Sequence, residues 1–232
     1  MGLADEVDLV FNAVGAVQNE IATRKRADVF VGAGPKARVK LKIDVGVDVA
    51  NAFRARRGQP LLYGTGVDDV HAYGLGKGGA CGAGDAWIRV NSPELTMESL
   101  FAAMNAGDFV TCEGLEPDDV AFDPATGRLE VSAVGRAGVP LTVDFIVSKR
   151  GFSETPTQTF PVTPKEPKPE ARTEFTRKIS FYGDKVGCTV KTVKGKPGES
   201  VKASYTLAAD DLYVRARISC PGEPRCTAAL HP

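Results

Sequence analysis

From Phe109 onward the chain breaks into short runs of β-branched and aromatic residues, each closed by a turn. This texture limits the fold more than any other feature. The runs fall at 109–112, 119–123, 128–134, 141–147, 179–182, 188–193, 201–206 and 212–219. Asp123-Pro124-Ala125-Thr126-Gly127, Tyr182-Gly183-Asp184 and Lys196-Pro197-Gly198 have the composition of turns between them. Pro156, Pro161, Pro164, Pro167 and Pro169 lie among many charges between Glu154 and Glu174, so that stretch reads as an extended excursion or linker. Residues 116–232 are therefore expected to form a β-rich module.

The residues before it have another rhythm. Residues 6–14 read as a strand, and Gln18 to Phe30 as a segment able to form a helix. Gly32 to Lys36 has the makeup of a loop. Val47 to Arg57 is helix-like, with Val49, Ala52 and Phe53 on one side and Gly58 as a stop. Residues 60–65 read as a short buried strand. Thr96 is a natural N-cap, and Met97, Leu100, Phe101 and Met104 follow at i, i+3, i+4 and i+7, the spacing of a buried helix face. Gly107 ends that helix. Strand, helix, strand over residues 1–71 predicts an α/β arrangement.

A net charge of zero, from 29 basic and 29 acidic residues, provides no electrostatic footprint for nucleic acid. Arg54, Arg56 and Arg57 cluster on a helix and read as a solvated face. No apolar stretch approaches the ~20 residues that span a bilayer. The acidic start, Met1 to Glu6, lacks the features of a signal peptide, so the chain reads as soluble with its compartment unassigned. The 5 cysteines make no disulfide framework. Cys220 and Cys226 enclose a Pro- and Gly-containing loop and could pair, while Cys81, Cys112 and Cys188 read as buried or incidental thiols.

The chemistry concentrates in Asp68-Asp69-Val70-His71, with Tyr73 close behind. A carboxylate and an imidazole two residues apart at a strand's mouth can grip one divalent ion from the same side. His71 is one of 2 histidines, the other being His231. Without further context, an Asp-rich hydrogen-bonded turn explains the same residues. The loop from Gly74 to Gly84 is rich in glycine but lacks the order of a phosphate loop and precedes a strand at 85–91, so it reads as a loop near the site. Glu20, Asp44, Asp48 and Asp85 could add oxygen ligands to a metal, but isolated carboxylates of this kind read first as surface charges.

The series Pro60-Leu61-Leu62-Tyr63-Gly64-Thr65-Gly66-Val67-Asp68-Asp69-Val70-His71 resembles the last metal-binding strand of the PHP (polymerase and histidinol phosphatase) superfamily. Trp87 to Val90, then Ser92 to Phe109, resembles that barrel's closing helix, and Asp210 to Ile218 the final strand of the β-rich tail in its carbaryl-hydrolase-like branch. The resemblance implies a partial, distorted β/α barrel over residues 1–115 followed by an antiparallel module over 116–232. It implies a metal-dependent hydrolase of phosphoester type, with Asp69 and His71 as ligands of a Zn, Mn or Fe ion. Asp68 would be a catalytic or water-orienting acid, with Asn12 and Tyr73 near the pocket. The family's early His-x-His pair has no counterpart here, and a three-metal site needs roughly ten ligands. The chain therefore looks like the C-terminal part of such a protein, its site incomplete on this chain. The alternative is a non-catalytic remnant that acts as a binding or assembly module, as a homo-oligomer or with a complementing chain. In the hydrolase reading the partner is a small phosphoester or related ester, with neither nucleic acid nor membrane involved.

Overall fold

The computed structural model describes residues 29–30, 38–39, 45–66, 86–135, 138–162, 177–220 and 227–230. Strands dominate them, and every pairing between strands is antiparallel. In chain order the strands are β1 (Val29–Phe30), β2 (Arg38–Val39), β3 (Trp87–Val90), β4 (Phe109–Glu113), β5 (Asp119–Asp123), β6 (Arg128–Val134) and β7 (Thr142–Lys149). They continue as β8 (Gln158–Val162), β9 (Arg177–Phe181), β10 (Cys188–Lys194), β11 (Ser200–Thr206), β12 (Asp211–Ser219) and β13 (Thr227–Leu230). Helix α1 is Val45–Arg56 and α2 is Met97–Ala106.

A six-stranded sheet, β10-β7-β12-β13-β4-β3, faces a three-stranded sheet, β11-β6-β5. The core lies between them because alternate residues on each strand are apolar. Val143, Phe145 and Val147 of β7 and Val214, Ala216 and Ile218 of β12 meet Leu129, Val131 and Ala133 of β6 and Val201 and Ala203 of β11. The β1–β2 and β8–β9 pairs form separate two-stranded hairpins.

The α/β half-barrel expected over residues 1–115 is not what the described residues form. Residues 60–66 take no strand conformation, and β3 pairs antiparallel with β4 in the same sheet as β12 and β13. Val29–Phe30, placed by the sequence at the end of a possible helix, is a strand. A short apolar run carries no mark of whether its pairing will be parallel or antiparallel, and that ambiguity led to the barrel expectation. The runs after Phe109 do form strands close to their expected limits, and β8 adds one inside the proline-rich excursion.

Helix α2 begins and ends where its sequence says. Thr96 accepts the Ser99 N–H, and Gly107 takes φ +85° while its own N–H and that of Asp108 close on Met104 and Ala103. Its stripe is not core, however. Met97 is 64% and Phe101 55% exposed, and Ala103 is the helix's buried residue. Periodicity identifies an apolar face but not whether a neighbour covers it.

Candidate functional site

Residues 60–66 form a strap that leads to the Asp68–His71 motif, and side chains from two elements bind it. Asn51 of α1 is 1% exposed and brackets Leu62 from both sides: its Nδ2 donates to the Leu62 carbonyl at 2.9 Å and its Oδ1 accepts the Leu62 N–H at 2.8 Å. A side-chain amide thus serves both backbone groups of Leu62. Arg54 Nε donates to the Pro60 carbonyl at 2.5 Å, and Thr111 Oγ1 of β4 donates to the Gly64 carbonyl at 2.5 Å. The Tyr63 ring lies edge-on to Phe109 and over Gly107, where a Cβ would come within 2.5 Å of the ring. At Gly66 a Cβ would stand 2.8 Å from the Thr111 methyl and 3.2 Å from the Trp87 carbonyl, so the strap passes directly over the β3–β4 pair.

Asn12, Asp68, Asp69, His71 and Tyr73, and with them the Gly74–Gly84 loop, lie outside the described residues. Among the described residues, no group of three or more His, Cys, Asp or Glu could hold a metal ion.

Two buried polar clusters escaped the sequence reading. Asp48, expected at the surface, is 1% exposed and lies on the face of α1 that packs against β12. Arg215 clasps it with two hydrogen bonds, Nε to Oδ1 at 2.8 Å and Nη2 to Oδ2 at 2.6 Å. Tyr213 donates its hydroxyl to Oδ1 at 2.8 Å, Ser148 donates to the Tyr213 oxygen at 3.2 Å, and the Gly187 N–H donates to Ser148 at 3.1 Å. Burial first, and then the Asp48 charge, push the Tyr213 hydroxyl well above its ordinary range. Each polar group in this chain has a protein partner, as a buried ion pair requires, and the arrangement docks α1 onto β12 and β7. The signal was present in part: Asp48 shares the helix face of Val49, Asn51 and Ala52, and Tyr213, Arg215 and Arg217 alternate along β12.

The second cluster joins Lys149 of β7 to the start of β12. Its Nζ lies 2.6 Å from Asp211 Oδ1 and 3.1 Å from Asp210 Oδ1. Asp211 Oδ2 accepts the Tyr205 hydroxyl at 2.8 Å and the Ala208 N–H at 2.7 Å. The hydrogen bond to Asp211 pushes the Lys149 ammonium above its usual range. Burial and that same carboxylate push Tyr205 up to about 12. These residues staple the β7–β12 register where a bulge interrupts it between Asp211 and Tyr213.

Of the cysteines, Cys112 is fully buried and free, its thiol pushed up to about 11 by burial, and so is unreactive. Cys188 is free and half-buried, whereas Cys220 is disulfide-bonded. Arg56 and Arg57 are exposed, as a solvated face requires, and they also stack over Phe152 and Phe53 at 5.0 and 5.1 Å and face Glu154. No helix among the described residues is long and apolar enough to cross a membrane. Comparison with family models, with curated proteins and with solved structures finds no match to this chain.

Proposed function

We propose that this chain is part of a PHP-like metal-dependent hydrolase of phosphoester type, with Asp69 and His71 as two ligands of a divalent Zn, Mn or Fe ion. The observation that carries the reading is the tethered strap: Asn51, Arg54 and Thr111 hold residues 60–64, so the motif starts from a point anchored on α1 and β4. A ligand pair needs such a base, because a divalent ion rewards donors already held near their final positions. The donor set fits the group: one carboxylate and one imidazole suit a borderline divalent metal. A bound ion would supply Lewis acidity and a more acidic water. Asp68, beside the pair, would orient that water or the free nitrogen of His71, and Asn12 and Tyr73 would border the substrate. Further donors would come from water or from a complementing chain.

The test is metal content after purification in Zn, Mn or Fe, measured beside His71→Ala. The expected result is tight, stoichiometric metal in the parent chain and its loss in the variant, with the thermal midpoint of the metal-free proteins unchanged. Equal, near-zero metal in both would overturn the reading. Turnover of an aryl phosphate would then separate an active site from a binding remnant.

One observation favours a second reading, an assembly module. Leu95 is 93% exposed, and with Met97 and Phe101 it leaves an apolar surface at the end of α2. Strand β3 next to it is the terminal strand of the six-stranded sheet. The solution mass of the chain beside that of Phe101→Ser tests this reading: a higher-order species lost in the variant supports it, and a monomer in both cases sinks it.

A further inference from the structure

We propose that this chain associates head to tail with further copies of itself, the basic side of one sandwich meeting the acidic side of the next. Charge that cancels over the whole chain is sorted within the fold. From Asp108 to Asp123, across β4 and β5, the sequence has 6 carboxylates and no cation. From Lys185 to Lys202, across β10 and into β11, it has 5 lysines against one carboxylate, Glu199. All of these charges are exposed except Glu113, which is half-buried.

The topology sets the two stretches on opposite sides. β10 ends the large sheet and β11 ends the small one, and the Lys191 Nζ joins them by donating to the Ser204 carbonyl at 2.7 Å. β5 ends the small sheet on the other side, and β4 lies next to last in the large one. The heights match as well. Lys194, Thr142, Ser219, Thr227 and Glu113 are successive partners in one row across the large sheet. Lys202, Ser132 and Asp119 make a row across the small sheet. A copy displaced along these rows brings Lys194 and Lys202 to the level of Glu113 and Asp119 on its neighbour.

Local pairing leaves this charge largely uncompensated. Glu116 has Arg89 at 3.7 Å and Lys196 has Glu199 at 3.5 Å, but among the described residues no ion pair engages Asp118, Asp119, Lys194 or Lys202. Lysines on an edge strand also block edge pairing, and like charges set opposite one another repel. Two basic sides or two acidic sides therefore disfavour a two-fold pair. The contact left is heterologous and repeats from copy to copy. It uses residues other than Leu95, Met97 and Phe101, so it stands independently of both readings above.

Sedimentation velocity over a concentration series tests this at ~0.02 M and ~0.5 M salt, between which the reach of a charge changes about fivefold. Larger species should grow with concentration at low salt and vanish at high salt. Lys194→Gln with Lys202→Gln, and separately Asp118→Asn with Asp119→Asn, should each weaken association by about tenfold, the scale of two exposed pairs. Mixed in equal amounts, the two variants should form dimers that grow no further, because each keeps one native side. Phe101→Ser should associate like the parent chain. A monomer at low salt throughout, variants that associate like the parent, or a mixture that fails to dimerise overturns the proposal. Association lost in Phe101→Ser but kept in both charge variants overturns it too, and assigns the contact to α2 instead.

Discussion

Arg215 and Asp48 are the residue pair on which the position of α1 depends most. Their side chains are 3% and 2% exposed, so removing one partner strands a charge in the interior. We expect Arg215→Ala to cost about 3–5 kcal/mol in a urea unfolding series, whereas Arg215→Met combined with Asp48→Leu should recover most of the loss. A cost under 1 kcal/mol for the single change would mean that water reaches the site. Tyr205 provides a pH signature at the same scale. Its proton leaves the unfolded chain near the ordinary value of 10 and the folded chain near 12. The stability tied to this group is therefore intact below pH 10 and lost as pH rises through 12. Absorbance titration should show a phenol ionising near 12 that disappears in Tyr205→Phe; no change in the titration curve would refute the assignment.

At the level of single elements, α2 separates local from tertiary determinants. Its ends follow from Thr96 and Gly107, so Thr96→Ala should cost about 1 kcal/mol. Gly107→Ala should cost more, because the left-handed backbone adds about 1–2 kcal/mol and the new Cβ meets the Tyr63 ring. Thermal or urea denaturation measures both, and Gly107→Ala proving the milder change would contradict the packing of Tyr63. The strap at 60–66 shows the opposite balance. Its apolar residues and glycines read as a strand, yet the Asn51 amide occupies the hydrogen-bonding positions at Leu62. Asn51 lies 11 residues away, and its own sequence context marks it only as one polar residue on a helix.

For the whole molecule, the core lies between the two sheets and not along α2. Phe145→Ala should therefore cost about 3–5 kcal/mol, and Phe101→Ser less than 1 kcal/mol, since Phe145 is 0% and Phe101 55% exposed. Equal costs by urea unfolding would show that the α2 face is covered in solution. Ion pairs near the surface, such as Arg56 and Arg57 with Glu154, add little to this balance.

The sequence by itself determined the local features. Runs of β-branched and aromatic residues marked the strands from β4 to β7 and from β9 to β12, Gly127, Gly183 and Gly198 marked turns where the backbone takes positive φ, and capping residues set the limits of α2. It also nominated Asp69 and His71 as a donor pair, and both lie outside the described residues. Tertiary structure decided which strands pair, which apolar faces are covered, and that Asp48 is a buried anchor for α1 instead of a surface charge. These depend on residues far apart in the chain: Asp48 meets Arg215 across 167 positions, and Trp87 reaches the row of Ile218 only through Cys112 and Ala228. Periodicity states what a residue prefers to face. Only the packed sheets settle what it does face.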